Sequence, residues 1–391
     1  MRNDKSPVIP LFVPTLRGNE WSYVKDCLDT NWISYLGPFV TRFEADLAAV
    51  AGASGCAAMS SGTAALHLAM VMAGVEPESE VIIPSITFVA PANAIRYCGA
   101  WPLLVDVSER DWQMDVAKLA DFLASGCDAR EGKLYNRTTS RRIAALMPVH
   151  LLGDMADVDE VAALAAKYDL PLIEDAAECV GAEYKGRGFA APNPFIDASR
   201  RWVCTSFNGN KIVTTGGGGA ILTNDAGLAS RAKHLSTTAK SRALEFFHDE
   251  VGFNYRLTNL SAAVGVAQLE KLDEFRAQKR AIADWYRQGS AGDDRITPHP
   301  RSPHGNSIYW LYTVRVNRPA LPIVHQLNAV GIQCRPLWTP IYDLPAFSGK
   351  VMTHSEDVAR RLHETAISLP SSVSATYLEI DEVVSEIKSL L

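Results

Sequence analysis

The sequence predicts an α/β fold: a large domain with a mostly parallel sheet, followed by a smaller α+β unit. Three observations carry this reading. Short apolar runs alternate with helix-length periodic stretches between Val81 and Ile173, the pattern of strands joined by crossover helices. A long apolar-periodic helix starting at Thr258 or Asn259 separates that region from a mixed one. A chain of 391 residues is also long enough to bury one large core and a second, smaller one. The expected division places residues 1–257 in the large domain, with a helical lead-in, and 258–391 in the linking helix and small C-terminal domain.

The elements follow in order. Pro10 to Pro14 is an extended lead-in, and Gly18-Asn19-Glu20 opens a helix through Leu28. Asn31 to Ser34 and Gly37-Pro38 form an irregular loop that carries an exposed Trp32. A helix from about Thr41 to Val50 sets Phe43, Leu47 and Val50 on one face. Another apolar helix follows Ser61-Gly62-Thr63. Strands are expected at Val81–Pro84, Leu103–Val105, Ile143–Met147 and Leu172–Ile173, with helices at Ala90–Tyr97, Val116–Leu123 and Val158–Lys167 between them. The polar stretch Arg130 to Arg142 reads as a surface excursion. Beyond Ala226–Leu235, a helix, the linking helix runs with Ala262, Val266, Leu269 and Leu272 on its apolar face. The last third holds strands at Tyr309–Val316 and Ile332–Cys334, helices at Ala320–Ala329 and Asp357–Thr365, and a closing segment from Glu379.

Composition narrows the function. The net charge of −6, with no basic run, argues against nucleic acid as a partner. Seven cysteines are scattered, odd in number and without a CxxC pair, so reduced thiols are expected, with neither a disulfide frame nor a metal site. The start, Met1 to Lys5, is polar with no apolar signal core after it, and no apolar stretch approaches the roughly 18 residues of a membrane span. A cytoplasmic protein without a membrane partner is the expectation.

The chemistry is expected around Lys211. Apolar runs at Trp202–Cys204 and Ala220–Leu222 enclose a loop holding this lysine, with Ser206 five positions before it and Gly216 to Gly219 after it. In low-dielectric surroundings an amine loses its proton more readily and can form a Schiff base with an aldehyde. The glycines fit neither a dinucleotide fingerprint, since Ile221 stands where glycine is needed, nor a Gly-Lys-Ser/Thr phosphate loop. A parallel sheet places ligands beyond its strand C-termini, where several candidates stand. Phe88 could lie flat on an aromatic ring or fill the core. His150 could be a base or a hydrogen-bonding residue of the interior. Asp175 could hold a protonated ring nitrogen or cap the next turn, and Glu178 could reach the same pocket or close a capping box. The Ser61-Gly62-Thr63 turn at a helix N-terminus could bind an anion or simply cap the helix. Arg335 suits a phosphate or carboxylate.

Taken together, Ser61-Gly62-Thr63-Ala64, Glu174-Asp175-Ala176-Ala177-Glu178, Ser206 to Lys211 and Gly252-Phe253-Asn254-Tyr255-Arg256 resemble the sugar-nucleotide aminotransferases. These are pyridoxal 5′-phosphate (PLP) enzymes of fold type I, the aspartate aminotransferase-like fold. The likeness runs from Ile9-Pro10-Leu11 to Leu369-Pro370-Ser371-Ser372. The lysine loop with Thr214 to Gly219, and His248 to Gly252, look most like the bacillosamine and legionaminic acid branch. That branch aminates C4 of UDP-linked 4-keto-6-deoxy-N-acetylglucosamine for bacterial surface glycans, with glutamate as donor and 2-oxoglutarate as its product.

The resemblance implies a role for each residue. Lys211 would carry PLP and move the proton, and Asp175 would pair with the ring nitrogen. Thr63, the Ala64 amide and Ser206 would hold the phosphate, Phe88 would stack on the ring and Glu178 would sit beside its phenolic oxygen. Asn254 would reach the site of a neighbouring subunit, making the active unit a homodimer, and Trp32 and Arg335 would line the sugar-nucleotide cleft. The link from Phe189 to Arg201 departs from the family's glycine-rich pattern, which bears on the identity of the sugar. A GDP-perosamine-type enzyme shares all these motifs and is the alternative reading. A dehydratase of the same fold would have histidine where Lys211 stands, and a non-catalytic ligand-binding protein would have no use for the full set.

Overall fold

Buried strands in this chain are nearly continuous apolar runs, as expected when both faces of a sheet are covered. The computed structural model describes residues 8–242, 245–355 and 357–391; the polar opening Met1 to Lys5 lies outside them. Its main sheet has eight strands in the order Gly55–Met59, Gly219–Thr223, Arg201–Ser206, Leu172–Asp175, Ile143–Leu146, Glu80–Pro84, Trp101–Val105, Met352–His354. Gly219–Thr223 runs antiparallel to both its neighbours, and the remaining pairs are parallel. Strand and helix positions follow the sequence reading closely; Ala90–Tyr97, Val158–Lys167, Ala320–Ala329 and Asp357–Thr365 are helices.

Three elements differ from expectation, each for a local reason. The linking helix is two helices, Asn259–Leu269 and Leu272–Gly289, broken at Glu270 and Lys271. The apolar period runs through the break, so periodicity alone cannot reveal it. The surface excursion at Arg130–Arg142 holds an element the sequence did not predict, because Cys127–Arg130 and Lys133–Asn136 pair as a hairpin. Its turn is made by Glu131 and Gly132, both at positive φ. The strand expected at Ile332–Cys334 forms instead at Arg335–Pro336, while Ile332 bridges to Ile9.

The smaller sheet orders Ile296–Pro298, Tyr312–Val316, Ala366–Leu369 and Arg335–Pro336. Its core includes Ile282, Tyr286, Val314, Leu327, Ile367 and Val383, and Ile9 from the start of the chain packs there too. In return, Met352–His354 leaves this half to extend the main sheet beside Trp101–Val105. Segments therefore cross the expected 257/258 boundary in both directions. Among the described residues no helix is long and apolar enough to cross a membrane. The seven cysteines are free thiols.

Candidate active site

The parallel strands deliver their C-terminal ends to one cavity of about 630 Å³, lined from the large domain by Thr63, Phe88, Asp175, Glu178, Ser206 and Lys211. Arg335, Trp310 and Trp338 close it from the smaller unit.

Backbone pairing fixes the lysine loop. Phe207 N–H donates to the Gly218 carbonyl at 2.8 Å, and Thr215 N–H returns to the Phe207 carbonyl at 3.0 Å. The Phe207 ring is fully buried, edge-on to Phe43 at 5.0 Å, so the loop is anchored at its base. Lys211 N–H closes a turn onto the Asn208 carbonyl at 2.9 Å. Its side chain is 12% exposed and carries Nζ to 3.5 Å from Glu178 Oε1. Nζ also lies 3.9 Å from the centre of the Trp310 ring, a cation–π distance.

Asp175 ends its strand buried, and its Oδ1 accepts from Ala177 N–H at 2.9 Å. Burial pushes its carboxyl upward, partly opposed by that amide and by the Lys211 charge. Oδ2 makes no hydrogen bond among the described residues. Such a group is stabilised by a cation or N–H placed in the cavity. Glu178 is raised to about 7 by burial, against the pull of Lys211 and of the Leu152 N–H that reaches its Oε2 at 2.7 Å. A carboxyl poised there can hold or give up a proton near neutrality.

At the other end of the cavity, the Gly62–Met72 helix begins beside Ser206 and Gly219. A side chain on Gly219 would put its Cβ 2.5 Å from Gly62 N, so glycine lets the two backbones meet. Ser61 is a true N-cap whose Oγ accepts from Ala64 N–H at 3.0 Å. The Ala64 amide is therefore engaged by the cap, while Gly62 N–H and Thr63 N–H donate to no described residue. Capping and an anion site coexist at this terminus.

Several candidates find their place. Phe88 is 56% exposed and lines the cavity, which excludes the core-filler reading. His150 is fully buried off the cavity, its Nδ1 taking the Ala156 N–H and its Nε2 3.0 Å from Glu174 Oε2. It is the hydrogen-bonding alternative that holds. Arg335 lines the cavity and is braced on Asn328 Oδ1 at 3.2 Å. Trp32 and Asn254 do not line it in the single chain, and both are exposed. For Trp32 this corrects the expected cleft position within one chain: it is 51% exposed and lines no part of the cavity. The 189–201 link contributes no lining residue. It ends at Arg201, whose guanidinium bonds Glu174 and the Ala191 carbonyl, so its unusual sequence does not shape this cavity.

Sequence reasoning missed Trp310, Trp338 and the Leu152 amide. The two indoles lie parallel within 8°, centres 6.4 Å apart. Tyr309-Trp310 read as the start of a strand, but Tyr309 sits at φ 49° and the strand begins at Tyr312. Only the indole N–H, which needs a partner when buried, marked Trp310 in the sequence; it donates to the Asn210 carbonyl at 2.7 Å.

Comparison with known proteins meets this geometry. Residues 14–388 match the DegT/DnrJ/EryC1/StrS aminotransferase family. GDP-perosamine synthase of Caulobacter vibrioides is 36% identical, over 98% of this chain and 99% of its own. UDP-2-acetamido-2-deoxy-3-oxo-D-glucuronate aminotransferase of Pseudomonas aeruginosa is 34% identical over 76% of each. The crystal structure of the aminotransferase TlmJ from Streptoalloteichus hindustanus superposes with a TM-score of 0.86 at 28% identity, covering 97% of this chain and 98% of its own. The cavity fits PLP: a buried carboxylate with an unmatched oxygen, a lysine amine, an exposed phenyl face and a helix N-terminus with free amides. The chain belongs to the DegT/DnrJ/EryC1/StrS family and is a PLP-dependent sugar-nucleotide aminotransferase.

Proposed function

We propose that the enzyme moves the amino group of glutamate to C4 of a nucleotide-linked 4-keto-6-deoxy sugar, and that the nucleotide is GDP. The observation that carries the chemistry is the Lys211 amine, enclosed in the cavity between Glu178 and the Trp310 ring. Bound PLP supplies an aldehyde that exchanges between amines and a ring that accepts carbanion charge. Lys211 holds the cofactor and, once released, takes the proton from the α carbon of glutamate and later delivers one to C4 of the sugar. Asp175 keeps the ring nitrogen protonated, and Glu178 holds a proton beside the phenolic oxygen. The Thr63 and Ser206 hydroxyls receive the phosphate together with the Gly62 and Thr63 amides, free among the described residues, in place of the Ala64 amide that the Ser61 cap engages, and Phe88 covers the ring. Arg335 receives charge on the substrate. Asn254 and Trp32, exposed in one chain, serve the site of a second copy in a homodimer.

The choice of GDP rests on the likeness to a GDP-perosamine synthase along nearly the whole chain, whereas the UDP-sugar relative is matched over three quarters. Weight therefore moves from the UDP-linked substrates of bacillosamine and legionaminic acid synthesis to the GDP-linked alternative. The test loads the enzyme with glutamate, then adds GDP- and UDP-linked 4-keto-6-deoxy sugars in parallel. Return of the PLP spectrum and an amino-sugar product with the GDP substrate are expected. Turnover of the UDP substrate alone would reinstate the first reading.

A further inference from the structure

Among the described residues Lys279 is the most deeply buried lysine or arginine, and the chemistry does not use it. It sits on the Leu272–Gly289 helix, 1% exposed. Its Nζ donates to the Trp310 carbonyl at 2.7 Å and to the Ser371 carbonyl, and it lies 4.7 Å from the centre of the Phe12 ring. Burial alone acts on this amine and pushes it well below the ordinary lysine range, with no carboxylate offsetting it. A lysine in such a position is costly, and an apolar residue of similar volume would pack there without that cost. Its hydrogen bonds are what an apolar residue could not supply.

One of those bonds reaches Trp310, which is held at three points. The Trp310 carbonyl is held by Lys279, its N–H by the Leu152 carbonyl at 3.1 Å, and its indole N–H by the Asn210 carbonyl next to Lys211. Leu152 itself is held at φ 62°, a conformation costly for leucine. The same residue gives its N–H to Glu178. One connected set of bonds therefore fixes the acid on one side of the Lys211 amine and the ring on the other.

We propose that Lys279 is a positioning residue that holds Trp310 over Lys211, acting through the Trp310 carbonyl and touching no substrate. The inference rests on the reading of Lys211 as the reacting amine. It is tested on the full chain freed of PLP, by timing acetylation of Lys211 with a small amine reagent at one fixed pH and quantifying the peptide by mass. Alkylation of Cys56, buried in the Gly55–Met59 strand, reports global opening in the same samples. Trp310→Ala uncovers the amine and accelerates Lys211 labelling roughly tenfold, the effect of losing a contact of cation–π strength from a closed state. Lys279→Met gives a similar acceleration with Cys56 unchanged, and the double variant adds little, as expected of residues acting in series. A wild-type Lys211 rate in Lys279→Met, a parallel rise at Cys56, or full additivity with Trp310→Ala would each overturn the proposal. Should Lys279→Met not fold, Lys279→Gln, too short to reach Trp310, is read by the same outcomes. PLP added to the wild type protects Lys211; failure of that protection would overturn the reading of Lys211 itself, separately from the role of Lys279.

Discussion

Glu174 and Asp175 are adjacent in the chain and serve opposite faces of the sheet. Glu174 turns to Arg201 and His150, with Oε1 2.5 Å from Arg201 Nε and Oε2 3.0 Å from His150 Nε2. Asp175 lines the cavity beyond the strand end. The alternation of a β-strand assigns one carboxylate to structure and the next to chemistry.

Glu174 makes the fold acid-sensitive. Burial alone would raise its carboxyl, but Arg201 and His150 outweigh it and hold it at about 2, against 4.5 unperturbed. A lowered folded pKa contributes stability that is fully present above the unfolded value and is lost as pH falls through the folded one. The window is therefore between 4.5 and about 2, and the contribution at neutral pH is on the order of 3 kcal/mol. Thermal unfolding as a function of pH is expected to show Glu174→Gln less stable than wild type at pH 7, with the difference closing as pH drops through that window. A difference that does not change with pH would contradict this.

Glu178 works with the opposite sign. Its carboxyl is raised from 4.5 to about 7 by burial, so it favours the folded state fully below the unfolded value, and that advantage is lost as pH rises through the folded one. In PLP-free protein, Glu178→Gln is expected to gain stability relative to wild type between pH 4.5 and 7, by a few kcal/mol at most, about 3 from linkage. The same pH series by calorimetry checks it. A variant that tracks the wild type at every pH would show that Glu178 does not titrate in that range.

Asp175→Asn removes the charge while keeping the shape and the hydrogen bond from Ala177. Loss of a buried carboxylate facing a cationic ring is expected to lower turnover and PLP affinity by about 10²-fold, the scale of a one- to three-unit pKa effect. Equilibrium PLP titration and steady-state rates measure both. Unchanged PLP affinity would remove Asp175 from the cofactor site.

Much of this was legible in the sequence because it is local. Strand–helix alternation placed the sheet, and the ends of its strands at Asp175 and Ser206 placed the cavity. The Lys211 loop stood out because two buried strands and four glycines frame it. What escaped depends on long-range contacts: Trp310 meets Asn210 across 100 positions and Lys279 meets Ser371 across 92. Met352–His354 is too short to show a period. Asn259, fully buried, bonds the Phe39 and Val40 amides and so ties the first helices to the linking helix. In the sequence it looked like a helix start.

The most direct test of the account is to reduce the PLP-loaded enzyme with borohydride and map the modified peptide by mass. A phosphopyridoxyl group on Lys211, absent from Lys211→Ala together with bound-cofactor absorbance and turnover, is the expected result. A stable modification on another lysine, or turnover retained by Lys211→Ala, would contradict it.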